Sequence, residues 1–244
     1  CAAVRSVATR AFAPLADDLA ASLQRQNDPD LVRDGAPSLI LLMDGLAESS
    51  GRSAALLAAA RARVAYAAAF FSREQRARAR LMYARARDQA LAALCEDRRF
   101  AAALRAPIAD FETAVARMGR THVPALYTAA AAWLGWILNS EGDPEALAQL
   151  SRPLAMIRRV AELDPGHDRG GVQLLLGIYY AVQPPGAGRD LNRSRAHFER
   201  AQQLAGAGAL MPRVAMAEYY ARYAMDRELF EQLIAEIGAQ REDP

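Results

Sequence analysis

The sequence predicts an all-α protein of about ten to eleven helices arranged in antiparallel pairs. Two observations favour this fold class. No segment alternates apolar and polar residues with β-branched content over the length of a strand, and helix start and stop signals recur along the 244 residues. Apolar residues make up 52% and charged residues 24% of the chain, which is enough to bury a core and excludes a disordered protein. The net charge of +2 gives no indication of a polyanionic partner.

Capping signals set the helix boundaries. Asp28 offers an N-cap acceptor before Pro29, and proline suits the first helical position because its missing N–H has no helical partner there. Ser72 and Gln75 have the spacing of a capping box. The predicted helices cover residues 14–27, 36–48, 52–71, 73–95, 97–118, 124–140, 144–162, 168–182, 190–205, 210–224 and 226–240.

An internal repeat joins these helices into pairs. Ala67 and Phe70 on one helix and Ala79, Tyr83 and Ala86 on the next have the small and large residues of a tetratricopeptide unit at its spacing. The small residues let two helices approach closely, while the aromatic side chains fill the groove between neighbours. The sequence therefore predicts tetratricopeptide-like antiparallel pairs that form a compact α-solenoid.

Two further units support the repeat. The second has a longer gap between its helices, and the excess falls in the turn at residues 184–188, where a helical repeat tolerates insertion. Its residues are Gly177, Tyr180, Ser194, Phe198 and Ala201. The third, looser unit consists of Gly135, Leu138, Ile157 and Val160.

The first residue is a cysteine, and a mature chain that begins on cysteine is typical of a bacterial lipoprotein whose signal peptide has been removed. We therefore expect Cys1 to be the lipidation site, the alternative being a chain boundary that falls there by chance. Residues 1–13 are predicted to be a lipid-anchored tether, and residues 14–244 a single all-helical domain.

Six aromatic residues are the candidates for binding a ligand or partner: Phe70, Phe71, Trp133, Trp136, Tyr179 and Tyr180. The two tryptophans stand three residues apart and so share one helix face. Adjacent tyrosines cannot both point into one seam between helices, so one of them faces a cavity or the surface. The alternative for every one of the six is an ordinary place in the core.

An arginine run on one predicted helix has two interpretations. Arg73, Arg76, Arg80 and Arg87 fall along one helix face. A solvated outer face is the first interpretation, and contact with an acidic protein or with lipid headgroups is the second.

The sequence contains no recognisable motif of catalytic or metal-binding residues. The three histidines, His122, His167 and His197, have no metal-ligand spacing. The glycines at 186 and 188 follow no predicted strand, so they do not form a phosphate loop. We expect no enzyme activity, no cofactor, no metal and no nucleic-acid partner.

A set of short helix-packing patterns recurs in a fixed order along nearly the whole chain. The segments are Cys1, residues 30–37, 39–45, 66–71 and 77–91, Trp133, and residues 163–165, 170–171, 176–177, 196–201 and 215–221. In their order and spacing, which carry the specificity, these segments resemble the T component of tripartite ATP-independent periplasmic (TRAP) transporters.

The resemblance implies a periplasmic lipoprotein that binds the solute-binding protein of its transporter, often as a homotrimer. It also implies an apolar cleft or channel for a hydrophobic small molecule. Anchoring to the inner leaflet of the outer membrane is favoured over the inner membrane. The alternative function is a general tetratricopeptide adaptor lipoprotein for envelope protein assembly.

Overall fold

The computed structural model describes residues 26–50, 52–140, 142–186 and 188–239, and every regular element in these ranges is helical. The prediction of an all-α fold is confirmed. The predicted tether and almost all of the predicted helix over 14–27 lie outside the described residues. The helices are α1 (Pro29–Ser50), α2 (Ser53–Phe70), α3 (Arg76–Leu94), α4 (Arg98–Ala103), α5 (Ile108–Ala116), α6 (Val123–Leu138), α7 (Pro144–Leu147), α8 (Ser151–Leu163), α9 (His167–Val182), α10 (Leu191–Ala205), α11 (Met211–Ala215), α12 (Arg222–Ala224) and α13 (Arg227–Ala239).

Helix α1 begins well before the predicted residue 36. The carboxylate of Asp28 accepts hydrogen bonds from the backbone N–H groups of Asp30 and Leu31, both at 3.0 Å. This cap starts the helix at Pro29, and the helix then continues through Pro37. The capping signal at Asp28 therefore marks the true start of this helix, and Pro37 lies inside it.

Three predicted helices are divided in the structure. The segment 97–118 splits at Pro107 into α4 and α5, since proline removes a backbone donor and restricts the residue before it. The segment 144–162 splits into α7 and α8, and a π-helical turn, Met216–Ala221, separates α11 from α12. Boundaries inside long apolar stretches depend on local hydrogen bonding that periodicity does not reveal.

The start of α9 is not right-handed. Asp168, Arg169 and Gly170 have φ values of 53°, 50° and 92°, so regular helix continues only from residue 171. A Cβ at position 170 would lie 2.9 Å from the Cβ of Leu204 and 3.0 Å from the carbonyl oxygen of Ala201. Glycine is therefore required there by both the backbone angle and the close approach of α10.

The chain divides into two compact units, residues 1–156 and 157–244, which we call the N-terminal and C-terminal units. The boundary falls within α8. The single domain expected over 14–244 stays a prediction.

In the N-terminal unit, α1 packs on α2, α2 on α3, and α3 on α6. Ala79 and Ala86 on α3 are buried, as the repeat predicts. The ring of Tyr83 lies directly on Gly135 of α6, where a Cβ would be 2.6 Å from the ring. Gly135, in the third predicted repeat, thus contacts the aromatic residue of the first predicted repeat. Because glycine has no side chain, α3 and α6 can approach each other closely there.

A polar network joins the first three helices of this unit. Asp44 on α1 forms an ion pair with Arg63 on α2, whose guanidinium Nη1 also lies 3.0 Å from the sulfur of Met82. The side-chain amide of Gln89 on α3 donates to the Asp44 carboxylate at 2.7 Å. The two charged side chains are only 11% and 15% exposed. A slip of one helix along another would separate the two charges and leave them buried without a partner. The network therefore holds the three helices in one register.

In the C-terminal unit, α9 packs on α10 in the same way as α3 on α6. The ring of Phe198 lies 3.0 Å from the position of a Cβ on Gly177. The hydroxyl of Ser194 donates to the carbonyl oxygen of Gly177 at 2.8 Å, and both Ser194 and Phe198 are buried. The predicted second unit is therefore a close helix pair with a buried hydrogen bond at its contact.

We predict that Gly135→Ala destabilises the protein by about 1–3 kcal/mol, because the new methyl group would force the Tyr83 ring from its place. Gly45→Ala is the matched control, since a Cβ there meets nothing within 4 Å and alanine favours a helix by about 0.5–1 kcal/mol. Urea denaturation measures both changes. Equal stabilisation by the two substitutions would contradict the packing described above.

Candidate functional site

Phe70 and Phe71 lie at the end of α2 in an aromatic cluster around Tyr66. The ring of Tyr66 is 5.1 Å from that of Phe70 and 5.6 Å from that of Phe71. The Tyr66 hydroxyl donates to the carbonyl oxygen of Arg33 on α1 at 3.1 Å. The Arg78 guanidinium lies 5.3 Å from the centre of the Phe71 ring. Tyr66 is buried and the two phenylalanines are half-buried, so this cluster closes one end of α2 and leaves part of its surface accessible.

The two tryptophans of α6 have different environments. Trp133 is buried, its indole N–H donates to the side-chain oxygen of Gln149 at 3.0 Å, and its ring meets that of Phe111 edge-on at 6.4 Å. Trp136, one turn later, is half-buried. Trp133 is therefore a core residue, and Trp136 carries the accessible aromatic surface of this face.

Two arginines of α3 cover the tryptophans. The Arg87 guanidinium lies 4.7 Å from the Trp136 ring and 5.7 Å from the Trp133 ring, and its side chain is only 19% exposed. The Arg80 guanidinium lies 5.6 Å from the Trp136 ring and 3.7 Å from the carboxylate of Asp143. Such contacts between a cation and an aromatic ring are worth about 0.5–2 kcal/mol each. The interpretation of the arginine run as a solvated outer face is therefore wrong for Arg87, whose side chain is mostly buried against the tryptophan rings. We call Arg80, Arg87 and Trp136 the Arg-Trp surface.

In the C-terminal unit, Tyr179 and Tyr180 meet edge-on at 5.4 Å. Tyr180 is buried, and its ring stacks on His197 at 5.5 Å with an angle of 3° between the planes. Its hydroxyl accepts a hydrogen bond from the Arg158 guanidinium at 3.3 Å, and Arg193 lies 5.6 Å from the ring. Tyr179 is half-buried. As predicted for adjacent tyrosines, the two side chains have different environments.

The environment shifts three pKa values in this cluster. Burial raises the pKa of Tyr179. Burial also opposes ionisation of Tyr180, but hydrogen bonds and positive charge from Arg158 and Arg193 outweigh it and lower that pKa. Burial, with a smaller repulsion from Arg193, lowers the pKa of His197. The imidazole Nδ1 of His197 lies 2.8 Å from the side-chain oxygen of Gln173, which fixes the orientation of the ring.

The six predicted residues thus occupy three aromatic clusters, two in the N-terminal unit and one in the C-terminal unit. Trp133 and Tyr180 are buried, as the core interpretation expects, whereas Phe70, Phe71, Trp136 and Tyr179 keep accessible surface. Their role in binding stays a prediction.

Two depressions in the C-terminal unit involve other residues. One, of about 420 Å³, is lined by the turn before α10 and by the first two residues of that helix: Pro185, Gly186, Arg189, Asp190, Leu191 and Asn192. The other, of about 290 Å³, is mainly apolar and is lined by Ala221, Arg222, Met225, Asp226, Arg227 and Phe230. In the sequence, the longer turn at residues 184–188 indicates the place of the first depression but not its presence. The second depends on the π-helical turn and the left-handed Met225, which the sequence does not indicate.

The described residues include no group of three or more His, Cys, Asp or Glu side chains placed to hold a metal ion. Burial raises the pKa of the half-buried Cys95 thiol, which favours its protonated, unreactive form. Among the helices described, none has the length and apolar character needed to cross a bilayer.

Paired helices in contact through glycine and aromatic residues define an all-α scaffold of tetratricopeptide-like pairs. The chain belongs to the TRAP transporter T-component family, whose profile matches residues 25–243. A search of curated proteins found no match. The family is an accessory component of transport systems and not a known class of enzyme, and membership places the chain in the periplasm or associated with the cell envelope.

We predict that His197 makes stability depend on pH. Since its pKa is lowered on folding, the unfolded chain binds more protons below the ordinary value of about 6.5, and the free energy of unfolding falls as pH decreases from there toward the lowered pKa. The stability difference between the wild type and His197→Asn should therefore be larger at pH 7.5 than at pH 5.5 in urea denaturation. An identical difference at both pH values would show that His197 is not desolvated.

Proposed function

We propose that this T component binds the periplasmic solute-binding protein of its TRAP transporter through the Arg-Trp surface. The observation that carries the proposal is the placement of Arg80 and Arg87 on the half-buried ring of Trp136. Arginine and tryptophan are the residues most enriched where a few side chains supply most of the binding energy. The Arg80 side chain remains 46% exposed, so its charge is available to an incoming protein.

The packing around Trp136 in the N-terminal unit supports this choice of surface. Trp136 is carried by the same helix as Gly135, where α3 and α6 are in close contact. Helix α3 is itself tied to α1 and α2 by the network at Asp44. A preorganised surface loses little conformational entropy on binding. Charge complementarity would favour a partner with an acidic patch.

The accessible aromatic residues, taken separately in each unit, are our proposal for contact with a hydrophobic ligand. Phe70, Phe71, Trp136 and Tyr179 are half-buried and carry large apolar surfaces. Trp133 and Tyr180 support these residues from the interior and would affect a ligand only through their position.

We further propose that Cys1 is lipidated and holds the chain at the inner leaflet of the outer membrane, and that the protein assembles as a homotrimer. Several acyl chains on one cysteine give durable attachment, whereas one chain binds weakly. A general adaptor lipoprotein for envelope protein assembly remains the alternative function, and it differs in requiring no solute-binding partner.

Charge reversal on the Arg-Trp surface tests the partner proposal. We predict that Arg80→Glu weakens binding to the transporter's solute-binding protein at least about tenfold, or about 1.4 kcal/mol, in isothermal titration calorimetry. Arg227→Glu is the control, since that side chain is 89% exposed on α13 and should leave the affinity unchanged. Absence of binding by the wild type would contradict the proposal and favour the adaptor. Equal loss from both variants would exclude this surface.

Lipidation has a separate test. We predict that the product expressed with its natural leader partitions with outer-membrane vesicles, and that Cys1→Ser moves it to the soluble periplasmic fraction because the acyl attachment site is lost. Mass spectrometry of the wild type should show the mass of attached acyl chains. An unmodified Cys1, or membrane partitioning of Cys1→Ser, would contradict this anchor.

A further inference from the structure

Two arginines of the C-terminal unit converge on one hydroxyl group. The Arg158 guanidinium on α8 donates to the Tyr180 hydroxyl on α9 at 3.3 Å. The Arg193 guanidinium on α10 lies 5.6 Å from the centre of the same ring and adds hydrogen bonding and positive charge at the hydroxyl. Three helices of this unit therefore bring two cations to one oxygen atom.

The carboxylates of the neighbourhood balance only part of this charge. Asp190 pairs with Arg193 at 3.2 Å. Glu162, one turn beyond Arg158 on α8, pairs instead with Arg159 at 2.8 Å. Within the part of the chain that the structure describes, no carboxylate forms an ion pair with Arg158. The cluster of Arg158, Tyr180 and Arg193 therefore retains one positive charge that no acidic side chain balances.

The environment of this cluster favours a negatively charged oxygen. Burial raises the pKa of Tyr180, but the hydrogen bonds and charges of Arg158 and Arg193 outweigh burial and lower that pKa overall. An environment that stabilises a phenolate oxygen stabilises the oxygen of an external anion for the same reason. Burial and repulsion from Arg193 lower the pKa of His197, so the imidazole that stacks on Tyr180 carries no charge at neutral pH.

The two guanidinium groups are accessible, and the hydroxyl between them is held in place. Arg158 is exposed and the Arg193 side chain is 63% exposed, so a ligand can reach both from solvent. The Tyr180 ring is buried in a parallel stack on His197, which is oriented by its 2.8 Å contact with Gln173. A hydroxyl fixed in this way loses little conformational entropy when it binds a ligand.

We propose that Arg158 and Arg193, together with the Tyr180 hydroxyl, bind a singly charged oxyanionic group of a small ligand, a carboxylate or a phosphate diester. Guanidinium groups bind both kinds of oxyanion through paired N–H donors. The single charge of the ligand follows from the charge balance, because two guanidinium groups and the Asp190 carboxylate leave one positive charge. This site belongs to the C-terminal unit and the Arg-Trp surface to the N-terminal unit, so neither proposal depends on the other.

An NMR titration tests the site in the full chain by following the arginine side-chain Nε–H signals. Benzoate and dimethyl phosphate are the charged probes, and benzamide and trimethyl phosphate are their neutral analogues. We expect saturable shifts at Arg158 and Arg193 with a Kd of about 1–10 mM for at least one charged probe, and no saturable shift with its neutral analogue. The charged probe that binds more tightly identifies the ligand group as carboxylate or phosphate diester.

Removing one cation identifies the residues that bind. Arg158→Gln should weaken binding of the same probe at least about tenfold, measured at the Arg193 signal, because the unbalanced charge is lost. Arg200→Gln is the matched control, since it removes the same charge from an exposed position on α10, where the guanidinium contacts Gln203. This control should leave the Kd unchanged.

Several results would overturn the proposal. One is the absence of saturable shifts with both charged probes. Equal shifts from a neutral analogue would indicate apolar contact with the half-buried Tyr179, whose ring lies 5.4 Å from that of Tyr180, and not recognition of charge. Equal weakening by Arg158→Gln and Arg200→Gln would indicate general attraction of anions to basic side chains. Tighter binding of sulfate than of either singly charged probe would contradict the charge balance.

Discussion

The close approach of helices at glycine is the constraint on which both units depend. The same arrangement occurs twice: the ring of Tyr83 packs on Gly135, and the ring of Phe198 packs on Gly177. In each case the aromatic ring occupies the space that a side chain at the glycine position would need. The ring gains contact with a helix backbone and fills the groove that the glycine opens. In the C-terminal unit the buried hydrogen bond from Ser194 to Gly177 adds a directional contact to this packing. Ring-on-glycine packing is therefore the main contact of this helix pair, and the hydrogen bond adds to it.

Polar side chains then set the register of the surrounding helices. The buried pair of Asp44 and Arg63, completed by Gln89, contributes little net stability because both charges lose hydration. Its effect is on specificity, since any slip of one helix along another would separate the charges. The exposed pair of Arg85 with Glu48 joins α3 to α1 at a position where solvent screens the charges.

The aromatic residues serve the scaffold and the surface at the same time. Trp133 and Tyr180 are held inside by hydrogen bonds to Gln149 and Arg158, and each supports a more exposed neighbour, Trp136 or Tyr179. The two arginines over the tryptophans each also pair with a carboxylate, Arg80 with Asp143 and Arg87 with Asp88, so ring and carboxylate together hold each guanidinium in place. This combination is compatible with membership of a family of accessory transport components.

The sequence by itself determined the helical class, the repeat positions and the family resemblance, because small and aromatic residues at fixed spacing allow few other packings. It also indicated the caps at Asp28 and Ser72, since those signals are local. Only the tertiary structure decided that Arg87 lies over the tryptophans, that Trp133 and Trp136 differ in exposure, and that Gly135 receives Tyr83 from the preceding unit. These outcomes depend on which helix lies opposite, and residues far apart in sequence carry no local signal of one another.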